Sequence, residues 1–253
     1  MYSHHLNVTS IDQHLHFFVH TLGGTQLSGR HEAQAIVRFP NVLIFLRQQP
    51  PTGGTKGTTV NHFAFGVPNI RRMVDTVKAA GYPMVTRAEA APTQEVKDDL
   101  AYMADQATDI AFTMAPDETK VEFIEIRTQL TPIDLHHIHF AAPDVAAMKA
   151  WYVNVFDARP GKRGNFEAAD LSGVNLTYSP AAAAVVVGTR GRSLDHIGFE
   201  VEGLEAFCKK LEALQIGLDR PLARVPELNT TTAFITDPWG TYIGLTEGLS
   251  SIG

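Results

Sequence analysis

Short runs in which apolar and polar residues alternate recur along the chain, each followed by a longer run with helical spacing. The clearest pair is Val60–Asn61–His62–Phe63–Ala64–Phe65–Gly66–Val67 and Leu194–Asp195–His196–Ile197–Gly198–Phe199–Glu200–Val201. Their period of two and their Phe, Ile and Val content predict half-buried strands with a histidine near the start. Each follows a Thr-(Lys/Arg)-Gly loop, Thr55–Lys56–Gly57 or Thr189–Arg190–Gly191. Helices are expected next, over about 70–80, with Met73, Val74 and Val77 on one face, and over about 204–214.

Two further copies show the same order. Residues 3–8 read as a strand, and Thr9 or Ser10 can cap a helix through about Gly23, with Leu15, Phe18, Val19 and Leu22 at helical spacing. Leu135–His136–His137–Ile138–His139–Phe140 opens another unit, with a helix over 145–156. Paired strands are expected at 33–39 and 42–46, at 109–114 and 120–126, and at 231–236 and 241–246. Residues 50–59 lack phosphate-loop spacing and read as a connector, and the 181–184 alanine run as a loop. Residues 87–107 interrupt the second unit, and 94–103 are expected to form an extra acidic, amphipathic helix. The chain therefore reads as four β-α-β-β-β units with a period of roughly sixty residues. A boundary near 128–133 divides it into an N-terminal domain, 1–130, and a C-terminal domain, 131–253.

Composition narrows the picture. Of the 253 residues 44% are hydrophobic, enough for a sizeable core, and the formal charge of −6 leaves no basic footprint for nucleic acid. A single cysteine, Cys208, excludes an intrachain disulfide and fits a reducing compartment. The start of the chain lacks the basic and apolar regions of a signal peptide, and no apolar run is long enough to span a bilayer. A cytoplasmic protein that acts on a small molecule, alone or as a homo-oligomer, is expected.

Candidate chemistry comes from the repeat. His5, His62, His137 and His196 occupy one strand position in four units, a placement that chance rarely produces with 11 histidines. Overlaying the units sets Glu122 on Gly244. His5, His62 and Glu122 thus form a candidate facial triad, two imidazoles and a carboxylate that bind a divalent metal and leave positions open for substrate. Strand alternation lets one residue from each of three strands converge. The C-terminal half offers a degenerate second site, His137 and His196. There Glu247 falls on the opposite face from Gly244, and His139 could replace the missing ligand. His4 and His136 should point away from the ligands, and Cys208 should pack on a helix. Tyr102 and Met103 lie on the expected extra helix, as a lid or a solvated insertion. No Gly-x-Ser-x-Gly elbow or dinucleotide glycine motif is present.

Asn61–His62–Phe63–Ala64–Phe65, Asp195–His196–Ile197–Gly198–Phe199, Val121–Glu122–Phe123 and the turn Asp237–Pro238–Trp239–Gly240 together resemble the vicinal oxygen chelate superfamily. That superfamily includes glyoxalase I, extradiol dioxygenases, fosfomycin-resistance enzymes, methylmalonyl-CoA epimerase and bleomycin-resistance proteins. The resemblance implies an α+β fold of two fused domains, each of two βαβββ units forming a cupped, partly open mixed sheet. It implies His5, His62 and Glu122 as ligands of Fe(II), Mn(II), Zn(II) or Ni(II). The chain departs from glyoxalase-type sites at Phe45, near their fourth ligand, and from extradiol enzymes at Phe112 and Phe234, where those carry a histidine and a tyrosine. The implied activity is metal-dependent chelation of a small substrate through vicinal oxygens, with dioxygenase, isomerase and lyase chemistry open. The alternative is a metal-free binding protein of the bleomycin-resistance type.

Overall fold

Four copies of one βαβββ pattern make up the chain, as a computed structural model shows for residues 1–27, 34–182 and 186–252. Ala33, expected to begin a strand, and residues 183 and 184 of the alanine run lie outside the described residues. The first unit holds β1 (Tyr2–Val8), α1 (Ile11–Leu15), β2 (Thr25–Gln26), β3 (Gln34–Arg38) and β4 (Val42–Gln48). The second holds β5 (Val60–Val67), α2 (Ile70–Ala79), α3 (Thr86–Glu89), β6 (Val96–Lys97), β7 (Leu100–Met103), β8 (Thr108–Ala115) and β9 (Thr119–Glu125). The third runs through β10 (Asp134–Ala142), α4 (Val145–Phe156), β11 (Arg159–Arg163), β12 (Phe166–Leu171) and β13 (Val174–Pro180). The fourth has β14 (Leu194–Glu200), α5 (Leu204–Ala213), β15 (Arg220–Val225), β16 (Thr230–Thr236) and β17 (Tyr242–Glu247).

Units do not pair in chain order. One sheet runs β15-β16-β17-β14-β1-β4-β3-β2 and joins the fourth unit to the first. The other runs β11-β12-β13-β10-β5-β9-β8-β7-β6 and joins the second to the third. Both are cemented by antiparallel pairing of first strands, β1 with β14 and β5 with β10. Residues 126–133, which include the expected boundary at 128–133, connect β9 to β10 within one sheet. Each of the halves 1–130 and 131–253 therefore gives one unit to each sheet.

The pairing is reinforced by the repeated loops. The Thr55 hydroxyl accepts the Lys120 backbone N–H at 3.1 Å, and the Thr189 hydroxyl accepts that of Tyr242 at 3.0 Å, equivalent places in units two and four. The loops also bond to each other, through Thr52 N–H to Gly191 O and Ser193 N–H to Gly53 O, both 2.8 Å. Residues 50–59 are thus a structural clasp.

Two local expectations change. The first helix is α-helical only to Leu15 and then widens into a π-turn, His16–Thr21. The consecutive Phe17 and Phe18 in this segment are both fully buried. Residues 94–103 form the β6–β7 hairpin and no helix, because Asp98 and Asp99 take positive φ (52° and 63°) at its turn.

One core lies between the sheets, built from the strand faces turned away from the concave sides and from the helices. His4, which points away from the cup as expected, is fully buried there, its ring 4.6 Å from that of Phe63 on the other sheet. Burial lowers its pKa from 6.5 to about 3, against the Ser3 backbone contact that raises it. Between those values the unfolded chain holds a proton that the folded one lacks. Stability therefore falls as the pH drops through this window, by about 1.4 kcal/mol per pH unit from this group. His4→Phe is expected to remove one proton's slope from the acid limb in denaturation series run from about pH 6.5 to about pH 4. An unchanged slope would contradict this.

Candidate metal centre

Alternation on three neighbouring strands aims polar side chains into the concave face of the β5/β10 sheet. On β5, Phe63, Phe65 and Val67 enter the core and His62 faces the cup. On β9, Val121 and Phe123 enter the core, while Lys120 and Glu122, two apart, share the cup face. On β10 a bulge intervenes: Leu135 pairs with Phe65 but His137 with Ala64, so His136 is the extra residue. Leu135 and Ile138 can then both stay in the core while His137 and His139 turn toward the ligands of β5 and β9. His139 sits directly across from His62 in the ladder.

His62, Glu122, His137 and His139 are all buried, and one ligand atom from each falls within a set no wider than 4.8 Å. Glu122 Oε2 is 2.8 Å from His62 Nε2 and 3.1 Å from His137 Nε2. His62 Nδ1 lies 2.9 Å from Asn61 Oδ1, and His139 Nε2 is 2.9 Å from the Ser179 hydroxyl. His62, Glu122 and His139 line a cavity of about 430 Å³ together with Phe112, Phe166, Lys120 and Arg163.

Burial lowers the pKa of all three imidazoles, well below the usual value for His137 and His139. Burial alone would raise that of Glu122, but the close approach of His137 and His62 outweighs it, and the carboxylate is held well below its usual range. The result is one carboxylate among neutral imidazoles. A neutral ring carries one N–H, whereas both nitrogens of His62 face acceptor oxygens. If Nδ1–H donates to Asn61, the Nε2 lone pair points at Glu122 Oε2 from 2.8 Å. A shared cation removes that repulsion. Donors 2.0–2.2 Å from one ion at right angles lie roughly 3 Å apart, the spacing seen here. His139 Nδ1, buried and without a hydrogen-bond partner, adds a lone pair. The donor set fits a divalent ion.

The structure redistributes the expected ligands. His62 and Glu122 meet, but His5 lies on the other sheet, because β1 pairs with β14 and not with β5. His137, assigned above to a degenerate second site, joins His62 and Glu122, and His139 comes with it. In the other cup His5 and His196 stack with centroids 3.9 Å apart, and Phe45 stacks on His5 at 4.2 Å. Gly244 lies against the His196 ring where the first cup has its carboxylate, and Glu247 accepts the Gly203 N–H elsewhere. His136, expected to point away, is half-buried at the bulge, its Nδ1 2.9 Å from His137 Nδ1. Cys208 packs half-buried on α5.

Several cup residues escaped the sequence reading. Arg163 reaches in from β11, a polar Arg-Pro-Gly-Lys-Arg strand that carries no apolar alternation. The Lys120 ammonium is buried in an ion pair with Glu89 at 2.5 Å. Its parity with Glu122 was the available signal. Met103 also lines the cavity, so the β6–β7 insertion forms part of its wall, with Tyr102 exposed.

Residues 134–245 match the sequence model of the Glyoxalase/Bleomycin resistance protein/Dioxygenase superfamily. Among solved structures, a mutant of glyoxalase I from Zea mays is similar with a TM-score of 0.73 at 17% identity, over 99% of this chain and 95% of that one. Glyoxalase I from Zea mays gives 0.71 at 16% identity, over 97% and 91%. A putative dioxygenase from Bacillus subtilis subsp. subtilis str. 168 gives 0.63 at 13%, over 97% and 84%. No curated protein matches by sequence. At these identities the structural likeness speaks for the fold alone.

Asn61 fixes the His62 ring so that Nε2 faces the other donors. Asn61→Ala is expected to weaken divalent-metal binding by about 10–100-fold in competition with a chromophoric chelator. Unchanged affinity would show that the contact does not orient a ligand.

Proposed function

We propose that this chain, whose residues 134–245 match the glyoxalase/bleomycin resistance protein/dioxygenase superfamily and whose fold along its length is similar to that of glyoxalase I, is a metal-dependent enzyme acting in the β5/β10 cup. The observation that carries the proposal is the approach of His62 Nε2 and His137 Nε2 to one oxygen of an ionised, buried Glu122. His62, Glu122, His137 and His139 would hold the ion. When bound, a divalent metal supplies Lewis acidity to a substrate that chelates it through two neighbouring oxygens.

The protein's own contribution is positioning and charge. Asn61 and Ser179 orient two imidazoles from behind. Phe112, edge-on to His62 at 5.3 Å, and Phe166 add apolar surface to the cavity. The Lys120 ammonium, buried and paired with Glu89, lines the same cavity. Ring-cleaving oxygenation, isomerisation and lyase chemistry all use such a site.

A second reading, metal-free binding, is favoured by the other cup. Its cavity of about 290 Å³ has aromatic walls at His5, Phe45, His196 and Phe234, and Gly244 replaces the carboxylate. This face suits a planar ligand held without an ion.

Metal analysis of protein purified without chelator separates the readings. We expect stoichiometric divalent metal in the wild type and in His5→Ala, and its loss in both Glu122→Ala and His137→Ala. A metal-free wild type, or loss in His5→Ala with retention in His137→Ala, would overturn the assignment.

A further inference from the structure

Among the described residues Arg163 is the one guanidinium lining the β5/β10 cup, and no carboxylate forms an ion pair with it. Its Nε donates to the Thr177 hydroxyl at 2.9 Å, Nη1 to Gln106 Oε1 at 2.6 Å, and Nη2 to His137 Nε2 at 3.2 Å. Three of its five N–H groups are thereby used. The third contact depends on a lone pair that His137 would give to a metal. Loading the site leaves an Arg163 N–H beside the ligand cluster without its acceptor.

The surroundings hold Arg163 in place. Its hairpin turns at Gly164, where φ is 55°, and the Asp105 carboxylate accepts the Asn165 N–H at 2.7 Å. Asp105 and Gln106 belong to the turn after β7, so the second unit's insertion fixes a residue of the third. A long side chain tied at three points has lost most of its rotamer freedom before any ligand arrives.

Charge then decides what the cup accepts. Lys120 and Glu89 cancel as an ion pair, leaving Glu122 and Arg163 as the remaining charged side chains lining the cavity among the described residues. A divalent ion adds two positive charges, so the loaded, buried site is cationic overall. A neutral ligand would leave that charge desolvated and uncompensated, a cost that an anionic ligand removes.

We propose that Arg163 is the anion-recognising residue of this cup, and that the substrate class is a 2-oxo or 2-hydroxy carboxylate bearing a compact apolar group. The carboxylate meets the Arg163 fork, the neighbouring oxygen lies on the metal side, and Phe112 and Phe166 cover the apolar group. The inference rests on the metal-site reading above.

The test uses the full chain loaded with cobalt(II). Phenylpyruvate is compared with phenylacetone, which keeps the ring and carbonyl but lacks the carboxylate. Calorimetry reads binding, and the visible cobalt spectrum reads approach to the metal. We expect phenylpyruvate to shift the spectrum and to bind at least about tenfold more tightly than phenylacetone. In Arg163→Gln that preference should fall to less than about threefold at unchanged cobalt stoichiometry, with Arg163→Lys, which keeps the charge but loses the fork, in between. Equal binding of the two probes by the wild type, or an unaltered preference in both variants, would overturn the inference and leave the metal site standing. Failure of the wild type to take up cobalt would overturn the metal reading and this inference with it.

Discussion

The site depends on one strand pairing, the antiparallel ladder between β5 and β10. That register sets His62 across from His139, and the bulge at His136 turns His137 toward the same point. β9, parallel to β5 on its other side, supplies Glu122 beside Ala64. Moving β10 by one residue would turn its histidines to the opposite face of the sheet. The donors thus come from both halves of the chain, and neither half holds the cluster alone.

The same architecture built twice has produced two different cups. In the β1/β14 sheet the equivalent histidines stack on each other, and a glycine stands in the place of Glu122. Asp195 bonds His196 Nδ1 at 2.8 Å, as Asn61 does His62, so both cups have the orienting contact although only one has the carboxylate. In the β5/β10 cup the cost of burying Glu122 is offset by imidazoles on two strands. A buried carboxylate with partners that a cation would rearrange is a poor stabilising device and a good ligand set.

Much of this was legible in the sequence. The strand histidines, the four-unit repeat, the helix over Val145–Phe156 and the closing strands followed from period-two and period-3.6 patterns. His62 and Glu122 were grouped from parity along a strand, which is local information, and the structure brings them together. The partner units were not legible: β1, β5, β10 and β14 are near-equivalent edges, and pattern alone cannot say which two meet. Hence His5 was grouped with His62, and His137 was set apart. The bulge that separates the roles of Leu135 and His137 is likewise a product of pairing. The acidic run around Asp98 and Asp99 looked helical because a two-residue turn leaves little trace in periodicity. Arg163 stayed hidden on a strand without apolar alternation.

The most direct measurement is anomalous X-ray scattering from crystals of the protein grown with a transition metal such as cobalt or manganese. The account predicts one strong peak among His62, Glu122, His137 and His139, and none between His5 and His196. A peak at the stacked pair His5 and His196, or none near Glu122 in crystals soaked to saturation, would contradict it.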